Sequence, residues 1–251
     1  MGVLGGLRSA LSFLTILPVG QGTLEEMARY AFFFPAVGAV LGALSGGAGL
    51  VLFSFLDQSL AGWSVLFLLL FLTGLNHLDG VLDLGDALMV RGTRERRLEV
   101  LHDKHHGIGG HFALFFVLVL TGTLISLLGH SVFSILLAAE TCAKLSMVIA
   151  AAVGKPYEKG IGGLFVSKVK ERLLSNVVLG IFIASTITIL VTGQLQSAIA
   201  ALAVALAFPA IWTKYLEKVF GCLTGDMLGS TSELTRLLVL LAFYLLWGVL
   251  H

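Results

Sequence analysis

Long apolar runs separated by short polar breaks fill most of this chain. A membrane-spanning helix needs about 20 predominantly apolar residues. Runs that meet this need, or come close, lie at 30–56, 61–77, 112–128, 132–153, 173–192 and 195–212. A last run, 237–250, is shorter and needs the polar stretch before it to cross a bilayer. The pattern predicts an all-α fold: a polytopic transmembrane helical bundle of about seven spans, forming a single domain over 1–251. Short interfacial helices complete it. Leu4, Leu7, Leu11 and Leu14 repeat at helical spacing and the pattern stops at Pro18, which suits a helix lying in the membrane interface. The same segment lacks a small-residue cleavage site and does not read as a signal peptide.

The basic residues test this count. If the segment before Tyr30 is cytoplasmic, the outer loops are 57–60, 129–131 and 193–194, and none holds Lys or Arg. The inner segments are the N-terminus, 78–111, 154–172 and 213–236, and they hold all of the 16 Lys and Arg except Lys144. Cytoplasmic loops favour Lys and Arg. The split predicts a multi-pass protein of the cytoplasmic membrane, with its polar motifs on the cytoplasmic side and His251 outside.

Composition sharpens the picture. Hydrophobic residues make up 57% and charged residues 12% of the chain, against about 25% charged in a soluble domain. Much of the surface must therefore face lipid. A net charge of +1 excludes the basic face of a nucleic-acid binder. Two distant cysteines, Cys142 and Cys222, exclude a disulfide scaffold.

The polar chemistry gathers on the inner side. Asp79, Asp83 and Asp86 fall at i, i+4 and i+7, one stripe of a helix. Three like charges among Leu78, Val81, Leu82 and Leu84 need an offsetting cation, and Mg²⁺ prefers such oxygen ligands and bridges carboxylates to phosphates. The plainer reading is a solvated acidic helix end. Next, Thr93 caps a short helix beginning at Arg94. Its arginines, Arg94 and Arg97 among them, suit phosphate binding or anchoring at anionic lipid. Five of the seven histidines lie within 77–111, yet a zinc site lacks both a nearby cysteine and the metalloprotease pattern. Asp103 is followed by Lys104, His105 and a glycine-rich stop where backbone N–H groups can approach an anion. Glu140 and Lys144, at i and i+4 inside a span, mark either a functional site or a structural pair facing the bundle. Lys155 and Lys159 sit among glycines, as in a flexible phosphate clamp. Asp226, between Gly225 and Gly229, reads as an acid at a close backbone approach.

These motifs, in this order, resemble the cobalamin synthase family of adenosylcobinamide-GDP ribazoletransferases. The carriers are His77-Leu78-Asp79-Gly80 with Asp83 and Asp86, then Arg94-Glu95-Arg96 with Leu98-Glu99, Asp103 with Gly107, and Thr224-Gly225-Asp226 with Leu228-Gly229. Phe13-Leu14-Thr15 with Leu17-Pro18, and Phe34-Pro35 with Gly38 and Gly42, extend the likeness over nearly the whole chain. Two places depart from the pattern: Gly85-Asp86-Ala87 stands where the family often has Asp-Gly after two small residues, and His105-His106 where it commonly has Arg-Ile.

The resemblance implies transfer of the cobinamide-phosphate moiety of adenosylcobinamide-GDP to a ribose hydroxyl of α-ribazole or its 5′-phosphate, with release of GMP. On that reading Asp79, Asp83, Asp86 and Asp226 are metal ligands for Mg²⁺, and Asp83, Asp86 and Asp103 are the catalytic candidates. His77, Arg94, Arg97, Lys104, His105, Lys155 and Lys159 are the substrate and phosphate candidates. Partners are then the corrinoid nucleotide, α-ribazole and the lipid bilayer. A homo-oligomer or an association with other corrinoid enzymes would give the membrane a purpose. A CDP-alcohol phosphotransferase acting on lipid is the nearest alternative, although Gly80 is not followed by that family's Ala-Arg. A cation transporter is the alternative of another class, although the acids cluster at one face and no repeat is visible.

Overall fold

The structure is a computed structural model that describes residues 2–250. The helices are α1 (Val3–Leu14), α2 (Leu24–Arg29), α3 (Phe34–Phe55), α4 (Gln58–Leu72), α5 (Asn76–Met89), α6 (Arg94–Leu101), α7 (Ile108–Ser126), α8 (Val132–Val153), α9 (Gly160–Glu171), α10 (Leu173–Thr192), α11 (Leu195–Phe220) and α12 (Gly225–Leu250). Among the described residues no extended strand forms. Six helices, α3, α7, α8, α10, α11 and α12, are long and apolar enough to cross a membrane, and α4 with α5 makes a seventh only as a bent pair. The chain is a multi-pass helical membrane protein.

Local chemistry sets the breaks. The α1 pattern ends where Thr15 turns extended and its hydroxyl donates to the Leu11 carbonyl. Thr23, Asp57 and Thr93 accept from the N–H groups of Glu26, Leu60 and Arg96 and so cap α2, α4 and α6. The span expected at 61–77 is instead broken at 73–75. Gly74 and Leu75 both take positive φ, +65° and +64°, and α5 leaves α4 at 95°. A left-handed leucine is uncommon and persists only where its surroundings hold it. His77 thus begins a new helix rather than ending the old one.

The α8 helix is the axis of the bundle, buried along nearly its whole length, with α3, α10, α11 and α12 around it. Helix α3 approaches it through Gly38, Gly42 and Gly46, where an added methyl group would meet the α8 backbone at Glu140, Leu137 and Phe133. Without a hydrophobic drive between helices in lipid, such close van der Waals packing supplies the association. Large apolar side chains such as Phe67, Phe115, Phe182 and Ile211 point outward, as a lipid-facing surface requires.

Two expectations are corrected and a third is left open. The polar stretch before 237 does lengthen the last run, since α12 begins at Gly225, but Arg236 lies fully buried within that helix rather than in an inner loop. The glycine- and lysine-rich 154–172 segment is not one flexible clamp, because 160–171 folds into α9. The expectation for His251 lies outside the described residues.

The Glu140–Lys144 pair faces the bundle. The Arg236 guanidinium bonds both Glu140 and Glu233, and its Nη2 lies 3.1 Å from Glu140 Oε2. Lys144 Nζ donates to Ser232 Oγ at 3.0 Å and meets His77 Nδ1 at 3.2 Å. Two acids and two bases therefore neutralise one another where water is absent, the condition under which buried charge is tolerated. The chain from Glu140 through Lys144 ends on His77 and anchors the start of α5.

Candidate active site

Helix α5 carries the acidic stripe, and its neighbours converge on it at the polar end of the bundle. A Cβ at Gly80 would overlap the Asp226 carbonyl, so α12 can start against α5 only because that residue is glycine. This brings Asp226 beside Asp79 and Asp83, and the charges of both Asp79 and Asp226 act on Asp83. Lys155 O accepts from Leu223 N at 2.7 Å and Leu223 O from Tyr157 N at 3.1 Å, which ties the 154–159 loop to the start of α12. Tyr157 in turn stacks on His102, with ring centroids 5.4 Å apart. When protonated, His102 acts on both Asp83 and Asp226.

The tightest grouping is Asp79, Asp83 and His106, each of which offers one donor atom within 4.8 Å of the others. His106 Nδ1 stands 3.5 Å from Asp83 Oδ1. Two carboxylate oxygens suit a hard divalent cation and the imidazole is a borderline third ligand, so this donor set fits Mg²⁺ or Mn²⁺. His106 was not among the ligands expected from sequence. It is 23 positions from Asp83, and only the return of the chain from α6 into α7 brings it near.

Asp86 is not brought into this group. Its Oδ1 accepts from Gly110 N at 2.8 Å, and its Oδ2 accepts from Gly107 N. A carboxylate at the N-terminus of α7 satisfies donors that the helix itself leaves open and complements its dipole. Asp86 therefore holds the 107–110 turn against α5, the turn from which His106 hangs. Asp103 stands apart too. Its Oδ1 accepts from His105 N at 3.0 Å and lies 2.9 Å from His105 Nδ1. These contacts, the backbone N–H first, hold its carboxyl below the usual carboxylate range.

The cationic candidates are spread around the same end. Arg94 Nη2 donates to the Lys218 carbonyl at 3.3 Å and Arg97 Nη1 to the Leu88 carbonyl at 3.4 Å, so both pin α6 down. Lys104, His105, Lys155 and Lys159 are exposed in the surrounding loops, Lys159 at the cap of α9. His77 is buried, held by Lys144, two residues before the first of the acids.

A bent, multi-helix fold with carboxylates and an imidazole gathered at its polar end defines a membrane-embedded protein whose polar chemistry lies at one end of the bundle. The chain belongs to the cobalamin-5-phosphate synthase family, whose model matches residues 6–244. Among curated proteins it is similar to the adenosylcobinamide-GDP ribazoletransferase of Halorubrum lacusprofundi, 34% identical over 98% of this chain and 98% of that one. The enzyme of the same name from Thermococcus kodakarensis is 34% identical over 97% of this chain and 100% of its own length. That from Klebsiella pneumoniae is 35% identical over 93% and 97%. No solved structure matches the chain.

Proposed function

We propose that this protein joins adenosylcobinamide-GDP to α-ribazole, or its 5′-phosphate, and releases GMP, with a divalent cation at Asp79 and Asp83. The observation that carries the reading is the convergence of Asp79, Asp83 and His106 within 4.8 Å at the polar end of a chain of this family. A ribose hydroxyl oxygen attacks the phosphorus next to the cobinamide arm, the P–O bond to the second phosphate breaks, and GMP leaves. Mg²⁺, when bound, supplies charge neutralisation for the diphosphate and the departing phosphate. Asp83 accepts the hydroxyl proton, a role supported by the His106 ring 3.5 Å from its Oδ1. Asp226 joins the acidic surface through the α5–α12 contact, and the exposed Lys104, Lys155 and Lys159 furnish positive charge for phosphates at the rim. The basic residues gathered at this end support a cytoplasmic orientation for it.

The test is GMP release by purified protein in lipid, with Mg²⁺ or EDTA, beside Asp83→Asn. Metal-dependent GMP and cobalamin formation is expected, and the variant should lose about 10²-fold or more of the rate. Activity unchanged in EDTA would remove the metal, and full activity in Asp83→Asn would remove this carboxylate from the chemistry.

A further inference from the structure

A cavity of about 360 Å³ opens beside the acidic stripe, and its apolar walls have no part in the reading above. The volume is that of a nucleoside and far below that of a corrinoid. Phe34 and Phe165, with rings 5.3 Å apart and nearly parallel, form one wall. Met27 and Met147 contribute polarisable sulfur. The polar residues Asn76, His77 and Asp226 also line it, and they connect it to the stripe: Asp226 packs on Gly80, and Asn76 borders a second groove that runs past Asp79.

We propose that this cavity holds the aromatic base of α-ribazole, with the ribose turned toward Asp226 and the acidic stripe. The inference rests on the transfer reading above and adds the place of the second substrate. The reaction brings together a corrinoid, a guanine nucleotide and a benzimidazole riboside. The corrinoid is too large. Guanine presents donors and acceptors along its edges, and burying these against phenylalanine and methionine leaves them unpaired at a cost. Dimethylbenzimidazole has two methyl groups, a fused aromatic face and one free ring nitrogen, so an apolar, sulfur- and aromatic-walled cavity suits it. The attacking hydroxyl must also reach the carboxylates, and the cavity opens beside them.

The experiment is steady-state kinetics in lipid on Phe165→Leu and on Ile161→Ala. Ile161 lines the cavity yet is 66% exposed, so its truncation leaves folding intact. For Phe165→Leu the KM for α-ribazole should rise about tenfold, and for Ile161→Ala about threefold, while the KM for adenosylcobinamide-GDP stays within about twofold. A rise confined to adenosylcobinamide-GDP, or no rise in either variant, overturns the assignment. Equilibrium dialysis of free dimethylbenzimidazole against wild type and Ile161→Ala tests the cavity without turnover. Binding by wild type that weakens in the variant supports the proposal even if GMP release fails, whereas no binding by wild type, or equal binding by both, overturns it.

Discussion

Replacing Arg236 by methionine should unfold this protein at markedly lower temperature. The Arg236 side chain is fully buried between Glu140, 0% exposed, and Glu233, 2% exposed. With Lys144 at hand, the cluster holds two negative and two positive charges. Methionine keeps most of the volume but leaves two buried carboxylates facing one ammonium. Breaking a buried pair in this way costs roughly 3–5 kcal/mol. For a chain of this size each kcal/mol moves the midpoint by about 2–4 °C, so the fall should be roughly 6–20 °C. Both cysteines are buried, and a thiol-reactive dye therefore reports unfolding in detergent. The double change Glu233→Gln with Arg236→Met leaves Glu140 facing Lys144, one charge of each sign, and should recover most of the loss. A midpoint within about 3 °C of wild type for Arg236→Met alone would refute the argument, because it would mean that Glu140 and Glu233 carry no charge needing a partner.

Two further outcomes separate roles along the polar end. Asp86→Asn leaves one oxygen where two now accept from Gly107 and Gly110, so stability and turnover should fall and, because the same turn carries His106, the Mg²⁺ concentration for half-maximal rate should rise by about tenfold; loss of all Mg²⁺-dependent rate in a variant that still folds would make Asp86 a ligand after all. His105→Ala removes the ring contact to Asp103, so the Asp103 titration followed by NMR should move upward toward the ordinary carboxylate value. Because the folded carboxyl sits low, its contacts persist above the ordinary range and are lost as pH falls through the folded value. An Asp103 titration unmoved by His105→Ala would show that the ring contributes nothing.

The one-dimensional pattern was sufficient for the membrane and for the helices. Runs such as 112–128 and 173–192 carry no charged residue on any face, and only a helix surrounded by lipid or by other helices tolerates that. The acidic stripe was equally legible, since i, i+4, i+7 spacing places Asp79, Asp83 and Asp86 on one line whatever surrounds them. The family resemblance rested on the same local strings. What such strings do not contain is which groups at the same end of the bundle meet. Asp86 shares the stripe with Asp83, but the 107–110 turn takes its oxygens. His106 joins Asp79 and Asp83 because α6 and the loop after it fold back, and Arg236, counted with the inner basic residues, is drawn into the bundle because Glu140 stands 96 residues away on the facing helix. The break at Gly74 and Leu75 falls inside a run that reads as continuous in hydropathy, since backbone conformation and not side-chain polarity makes the bend. Periodicity is a property of neighbours along the chain, and a site is a property of neighbours in space. Sequence alone therefore specified the helices and the acids they carry, whereas packing decided which acids stand together with an imidazole, which one holds a turn, and which aromatic rings line the cavity beside them.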